Sequence, residues 1–302
     1  MEFAKAHEGI NFMQAFLIQI VILLLIYLIV AVSLNLTLGQ SGLLNLGHLG
    51  FFGIGAYVSA IASKTYGLSF FFAFLLAASF SALCGFALMS AIKKLSGDYL
   101  ALATLGFNYV VYTILVNWMS FTGGPVGISG IPRPSFFGWK IATQPEYLFL
   151  SAVVSFLIFF FIAYLSKSRF GKVLNAVRDD ELAAMALGKN THKVKVQAMM
   201  LSAAFCGVAG SLFAHFITFI DPSLVSVTEV IFILSIVILG GIADNRGTLL
   251  ATGIIVSLPE ALRFVHLPNS AVGPLRQMIF SLILILILLY RPKGLFGKVE
   301  LK

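Results

Sequence analysis

Charged residues are scarce in this chain: Asp, Glu, Lys and Arg together make up 11% of 302 residues. That is too few to coat a water-soluble domain of this size, whose charged share is usually about a quarter. Acids are scarcer than bases, 12 against 20, and the formal net charge is +8. Cysteine is limited to Cys84 and Cys206, each inside an apolar run and far from a second Cys or His at ligand spacing, which excludes a disulfide framework and a zinc site of the usual kind. No GxxxxGK[ST] run occurs, so the chain has no loop of that type to cradle nucleotide phosphates.

In place of charge there is grease. Hydrophobic residues make up 59% of the chain, with 29 Phe, and the mean hydropathy is +0.99. About 20 consecutive apolar residues span a bilayer as a helix, and runs of that order occur at 15–37, 68–92, 99–121, 147–166, 197–219 and 225–241, with less pure ones at 42–63, 248–265 and 274–290. The expected class is therefore all-α: a polytopic transmembrane helix bundle of 8 to 10 spans, forming a single transmembrane domain over 1–302. The first run is too long for a signal-peptide core and lacks a basic region directly before it, so it is expected to remain as a membrane helix.

The placement of the bases excludes nucleic acid as the partner and points to lipid. Lys167, Arg169, Lys172, Arg178, Lys189, Lys193 and Lys195 fall in one loop, Lys93 and Lys94 in another, and Arg291, Lys293, Lys298 and Lys302 in the tail. By the positive-inside rule all three regions, including the C-terminus, are expected in the cytoplasm, which puts the loop 121–146 outside. Lys64, Arg133, Lys140, Arg263 and Arg276 are exceptions on the outer side, and the side of the N-terminus stays open.

Two stretches interrupt the hydrophobic pattern. Residues 38–60, LGQSGLLNLGHLGFFGIGAYVSA, carry six glycines with Gln40, Asn45 and His48. A broken glycine-rich helix is expected there, because irregular backbone at membrane depth survives only where protein or a wet cavity satisfies it, as at the midplane sites of transporters. Asn45, His48, Gly50 and Gly53 are candidates for a translocation path, joined by Thr104 and Asn108, which share a helix face by their four-residue spacing. Close helix packing accounts for the same glycines and polar groups equally well. In the outer loop, Gly-Ile-Ser-Gly at 127–130 superficially has the look of an intramembrane protease serine, but Ile-Pro-Arg-Pro follows at once and cannot continue a helix.

The other interruption is RDDELAAMALGKN, residues 178–190, within the basic segment 167–196. Asp179 or Asp180 can cap a helix, Glu181 adds negative charge at the positive end of its dipole, Leu182 to Leu187 are good helix formers and Gly188 ends it. The resulting helix is too short to persist alone in water. Leu182, Met185 and Ala186 share a face suited to a groove, in a partner or on the chain's own bundle.

The ordered set GQSGLLNLGHLGFFGIGAYVSA, GDYLALATLGF, TGGPVGISGIP, SRFGKVLNAVRDDELAAMALG, LSAAFCGVAGSLFA, IVILGGIADNRGTLLATGIIVSLPE and LYRPKGLFG, spread over about residues 33 to 297, resembles the permease subunits of branched-chain amino acid ABC importers, in particular the LivM-like one of the two. The resemblance implies a multi-pass subunit of a prokaryotic cytoplasmic (inner) membrane working with a second homologous permease, two cytoplasmic ATPase subunits and an extracytoplasmic solute-binding protein. It implies no cofactor in this chain, since ATP and Mg would be bound by the ATPases. It also implies that Arg178, Asp179, Asp180, Glu181, Leu182, Ala183, Met185, Ala186, Leu187 and Gly188 form the element that couples to an ATPase. Permeases for urea and short amides share the same motifs and stay open as an alternative. An ion-coupled secondary transporter is a further one, poorly served here, because Asp98 and Asp221 fall at span ends, Glu229 near one, and Glu260 beside Arg263.

Overall fold

The computed structural model describes residues 2–136 and 139–262, and, between 275 and 296, residues 275, 278–279, 281–282, 285–286, 289–290 and 294–296. It is a helix bundle with two small pairs of strands. In chain order the helices are α1 (Glu2–Asn35), α2 (His48–Lys64), α3 (Phe70–Ala91), α4 (Gly97–Asn117), α5 (Met119–Thr122), α6 (Gln144–Lys167), α7 (Arg169–Asp179), α8 (Glu181–Ala186), α9 (Thr191–Ile217), α10 (Val227–Gly240) and α11 (Asn245–Leu262). The strands are β1 (Ile128–Ser129), β2 (Ser135–Phe136), β3 (Trp139–Lys140) and β4 (Phe219–Ile220), paired antiparallel as β1 with β4 and β2 with β3.

Among the described residues five helical segments are long and apolar enough to cross a membrane: Met13–Gln40, which includes a π-helical turn at Leu36–Gln40, and α3, α4, α6 and α9. This is a multi-pass membrane protein. Their outer surfaces carry the large apolar side chains that a bilayer solvates, such as Phe72 and Leu83 on α3 and Phe160 on α6. The starts of the long helices are specified locally. Thr143 and Glu146 form a capping box at the head of α6, with Pro145 in its first turn, and the Asn190 side chain accepts from the Lys193 amide at the head of α9.

The centre of the bundle is a three-helix contact of α2, α3 and α9 made possible by small residues. A Cβ on Gly55 would stand 2.2 Å from the carbonyl oxygen of Gly207, and one on Gly210 2.1 Å from that of Phe52. Ser81 Oγ donates to the Phe51 carbonyl at 3.2 Å, and Ser59 and Ser211 share a 2.7 Å hydrogen bond. With no hydrophobic effect between helices in lipid, such close backbone approach and interhelical hydrogen bonding are what hold them together. Around this contact α1 contributes a buried apolar stripe, Ile22, Ile26 and Ile29, and Ser155 of α6 donates to the Leu25 carbonyl at 2.9 Å.

Side-chain contacts define two ends. At one, Lys64 Nζ donates to the Ser129 carbonyl at 2.6 Å, β1 pairs with β4, and His215 Nδ1 lies 2.6 Å from the Pro132 carbonyl. At the other, Arg178 donates to the Gly39 carbonyl at 2.7 Å, Gln40 Nε2 bonds Ser166 Oγ, Asn35 Nδ2 reaches Thr248 Oγ1 at 2.9 Å, and the Leu295 amide donates to the Leu239 carbonyl at 2.8 Å. All loop cations expected in the cytoplasm that fall on described residues belong with the second end, in the turn after α3 and in the segment from α6 to α9. Arg263, Arg276, Arg291, Lys293, Lys298 and Lys302 lie outside the described residues.

The break expected within 38–60 is present: the π-helical turn runs on from α1, residues 42–47 are non-helical, and α2 is continuous from His48 to Lys64. One expectation needs correction. The run 225–241 is not a full-length span. It holds a helix of 14 residues, about 21 Å long at 1.5 Å per residue against a hydrocarbon thickness of about 30 Å, preceded by a 3-10 turn that enters the bundle.

Candidate functional site

Two helices begin inside the bundle, not at its surface. After the π-helical turn, residues 41–47 climb back from the second end. The Leu46 amide donates to Thr104 Oγ1 at 3.0 Å, in the first half of α4, and Asn45 Oδ1 accepts from the Gly47 amide at 3.0 Å. α2 then starts at His48, whose ring Nε2 lies 2.9 Å from Ser33 Oγ and whose carbonyl accepts from Cys206 Sγ, midway along α9, at 3.2 Å. From there it runs to the first end. The second case is reversed. The chain leaves β4 at the first end, turns through the 3-10 segment Pro222–Val225, and reaches Asn108, midway along α4, where Asn108 Nδ2 donates to the Val225 carbonyl at 2.8 Å. α10 starts there and runs to the second end.

The N-termini of α2 and α10 thus both open within the bundle, directed along opposite helices, and α4 supplies Thr104 to one and Asn108 to the other. Each helix start leaves backbone N–H groups without intrahelical partners and carries the positive end of a dipole. A water-sized cavity lies between the two helices, lined by Asn45, His48 and Leu49 on one side and Val230, Ile233 and Leu234 on the other. His48 and Asn108 are both buried, and His48 Nδ1 and Asn108 Oδ1 have no hydrogen-bond partner among the described residues. Of the residues expected here, Asn45, His48, Thr104 and Asn108 therefore gather around the two helix starts. Gly50 and Gly53 are closely packed: a Cβ on Gly50 would sit 2.9 Å from the Phe107 ring and one on Gly53 2.4 Å from Val225 Cγ2.

At the second end the short segment is built differently from its expected form. Arg178 and Asp179 close α7, a helix with Leu174 and Val177 buried and Ser168 as its cap, which its mixture of charges had concealed. Asp180 alone is extended (φ −154°, ψ 101°), and its Oδ1 accepts from the Ala183 amide at 2.9 Å, so it, not Asp179, caps α8. Glu181 pairs with Lys195 of α9 at 2.6 Å, Ala184 is buried against the bundle, and Gly188 ends the turn with φ +76°. The remaining side chains face away: Leu182 is 75% exposed and Leu187 79%, with Met185, Ala183 and Ala186 also exposed. Arg178 does not join this outward face; its side chain is 15% exposed and turns inward to Gly39.

The first end carries a structured loop. Gly127 has φ +73°, and a Cβ there would meet the Ile220 carbonyl oxygen at 2.0 Å, so the β1–β4 pairing needs glycine at this position. His215 bridges this loop to the core: with the Pro132 carbonyl able only to accept, Nδ1 is the donor, and Nε2 lies 3.0 Å from Ser59 Oγ. No group of three or more His, Cys, Asp or Glu side chains gathers for a metal among the described residues.

A multi-pass bundle with two helices starting at its interior and a capped, exposed apolar helix at one end has the parts of a solute permease. A family model described as "Branched-chain amino acid transport system / permease component" matches residues 16–289. The chain belongs to this permease family. It is 35% identical over 301 residues to the high-affinity branched-chain amino acid transport system permease protein LivM of Escherichia coli (strain K12), covering 92% of this chain and 69% of that protein. It is 26% identical to a probable branched-chain amino acid transport permease protein LivM of Methanocaldococcus jannaschii, over 89% of this chain and 90% of the relative. With the permease protein LivH of Salmonella typhimurium it shares 25% identity over 91% of this chain and 92% of the relative. No solved structure matches the chain.

Proposed function

We propose that this chain is a membrane-spanning subunit of an ATP-driven importer of the prokaryotic cytoplasmic membrane, and that it translocates branched-chain amino acids handed over by an extracytoplasmic binding protein. Its partners in this reading are a second permease of the same family and two cytoplasmic ATPase subunits, which hold the ATP and Mg. The cation-rich end is cytoplasmic and carries the C-terminus. Among the described residues the chain then crosses eight times, through α1, α2, α3, α4, α6, α9, α10 and α11, with the start of α1 outside; the apolar run 274–290 falls largely outside the described residues. The starts of α2 and α10, with Asn45, His48, Thr104 and Asn108, flank the path. Orphaned amides and short polar side chains there offer a zwitterion passing contacts without a tight site.

The observation that carries this reading is α8. A helix of 6 residues with Leu182 and Met185 turned to solvent on one face has no stability of its own, and an apolar pair at helical spacing in a water-exposed segment is what a groove in a partner would take. Leu182→Glu and Met185→Glu test it. Buried apolar anchors at an interface are worth about 2 kcal/mol or more each, so recovery of ATPase subunits with the chain in mild detergent and uptake of radiolabelled leucine should both fall by about ten-fold or more. The variant chains should still insert and extract normally. Unchanged recovery and uptake would count against the reading.

A further inference from the structure

α7 and α8 are separated by one extended residue, Asp180, so a push on α8 is delivered to the last turn of α7. The side chain in that turn that leaves α7 for another element is Arg178. Its Nε and one terminal nitrogen hold Asp179 Oδ1 at 2.9 and 2.8 Å, while the other donates at 2.7 Å to the carbonyl of Gly39. Gly39 lies within the π-helical turn that closes α1, and that turn leads straight into residues 41–47 and so to the start of α2 at His48. The stem of Arg178 lies against Gly42, where an added Cβ would meet Arg178 Cγ at 2.9 Å and where φ is +68°. The same turn is fixed from its other side: Asn35 accepts from the Ala243 amide at 2.9 Å and donates to Thr248 at 2.9 Å, and Gln40 bonds Ser166. The second helix that starts inside the bundle, α10, ends at Gly240, and residues 241–244 follow it.

We propose that Arg178 is a positioning residue for transport, a strut that carries movement of α8 to the Gly39 carbonyl and through residues 41–47 to the interior start of α2. The planar guanidinium suits this task because it grips a carboxylate and a carbonyl at once in fixed directions, which a single ammonium does not. The inference rests on α8 being the ATPase-docking helix and adds the route by which docking reaches the candidate path.

The test uses the whole transporter, the chain assembled with its ATPase and second permease subunits in proteoliposomes, and compares wild type with Arg178→Met and Arg178→Lys. A reporter, Leu44→Cys, is placed in the segment 41–47, and its rate of labelling by a thiol reagent is read with and without ATP. Arg178→Met keeps the apolar stem on Gly42 and removes the grip on Gly39. The expected result is normal recovery of the ATPase subunits, a fall of about ten-fold in leucine carried per ATP hydrolysed, in the range of other coupling defects, and loss of the ATP-dependent change in labelling at position 44. Arg178→Lys should recover part of both. A ratio within about two-fold of wild type, with the labelling change intact, overturns the proposal. So does loss of assembly in both variants, which would make Arg178 a folding residue. A wild-type chain that retains no ATPase overturns the functional reading itself, and the strut with it.

Discussion

At the scale of single residues the glycines divide by what surrounds them. Gly55 faces the backbone of Gly207 with no side chain that could yield, whereas Gly106, in the middle of α4, has nothing within 4 Å of an added Cβ. Gly55→Ala must therefore push α2 from α9, an overpacking that costs about 1 to 3 kcal/mol. Gly106→Ala gains helix propensity, about 1 kcal/mol, and meets no obstacle. Heating detergent-solubilised protein and following the loss of the monodisperse peak should show a lower midpoint for Gly55→Ala and an equal or higher one for Gly106→Ala. Equal midpoints for both would mean that α2 and α9 are not in backbone contact. The glycine count of residues 38–60 was visible in the sequence, which left close packing and a path equally open as its meaning. In water, glycine weakens a helix by exposing backbone and keeping entropy; inside a lipid-embedded bundle the helical hydrogen bonds have no competitor, and glycine serves to bring helices together. Hence α2 is unbroken across Gly50, Gly53 and Gly55, and the interruption falls one step earlier, around Asn45.

Among elements, α8 shows how little holds a short helix. With 6 residues, it rests on the Asp180 cap, the Glu181–Lys195 pair and the burial of Ala184. Removing an N-cap costs about 1 kcal/mol, a large share of what so short a helix has. Asp180→Ala should thus raise the population in which α8 is frayed by about five-fold. Trypsin cleavage at the exposed Lys189, measured on solubilised protein, should accelerate by a similar factor; an unchanged rate would assign the helix to its ion pair and to Ala184 instead. The existence, cap chemistry and stop of this element were legible from residues 178–190, because capping is local. The boundary between α7 and α8 was not, because Arg178 and Asp179 are good helix residues by any local measure and their membership of α7 is settled by Leu174 and Val177 packing on the bundle. α10 was misread for a related reason. Hydropathy sums apolar residues whether or not they share one helix, and Val225 is buried in protein at the close of the 3-10 turn before α10, its carbonyl held by Asn108 in a contact across 117 positions of sequence.

On the scale of the whole molecule the class of the fold and the division of charge were both readable, since a bilayer imposes span length and charge bias on the chain as a solvent would. What no window of sequence contains is the pairing of the two interior helix starts, each of which is tied to α4 by a hydrogen bond. The charge division makes the last prediction. Val126, 78% exposed, lies at the end where β1 meets β4, and Lys189 is exposed at the end that holds α7 and α8. The side chains of Cys84 and Cys206 lie within α3 and α9, away from both loops. If the cation-rich end is cytoplasmic, a membrane-impermeant thiol reagent applied to intact cells should label Val126→Cys and spare Lys189→Cys, and permeabilising the cells should expose the second. The reverse pattern would invert the bundle. It would place α8 where no ATP is available, and the bias of seven cations between residues 167 and 195 would then need a cause other than retention on the side where the chain is made. Labelling of both positions in intact cells would instead deny that α6 crosses between them, a harder result to reconcile with a helix of 24 residues, longer than the roughly 20 that the hydrocarbon layer requires.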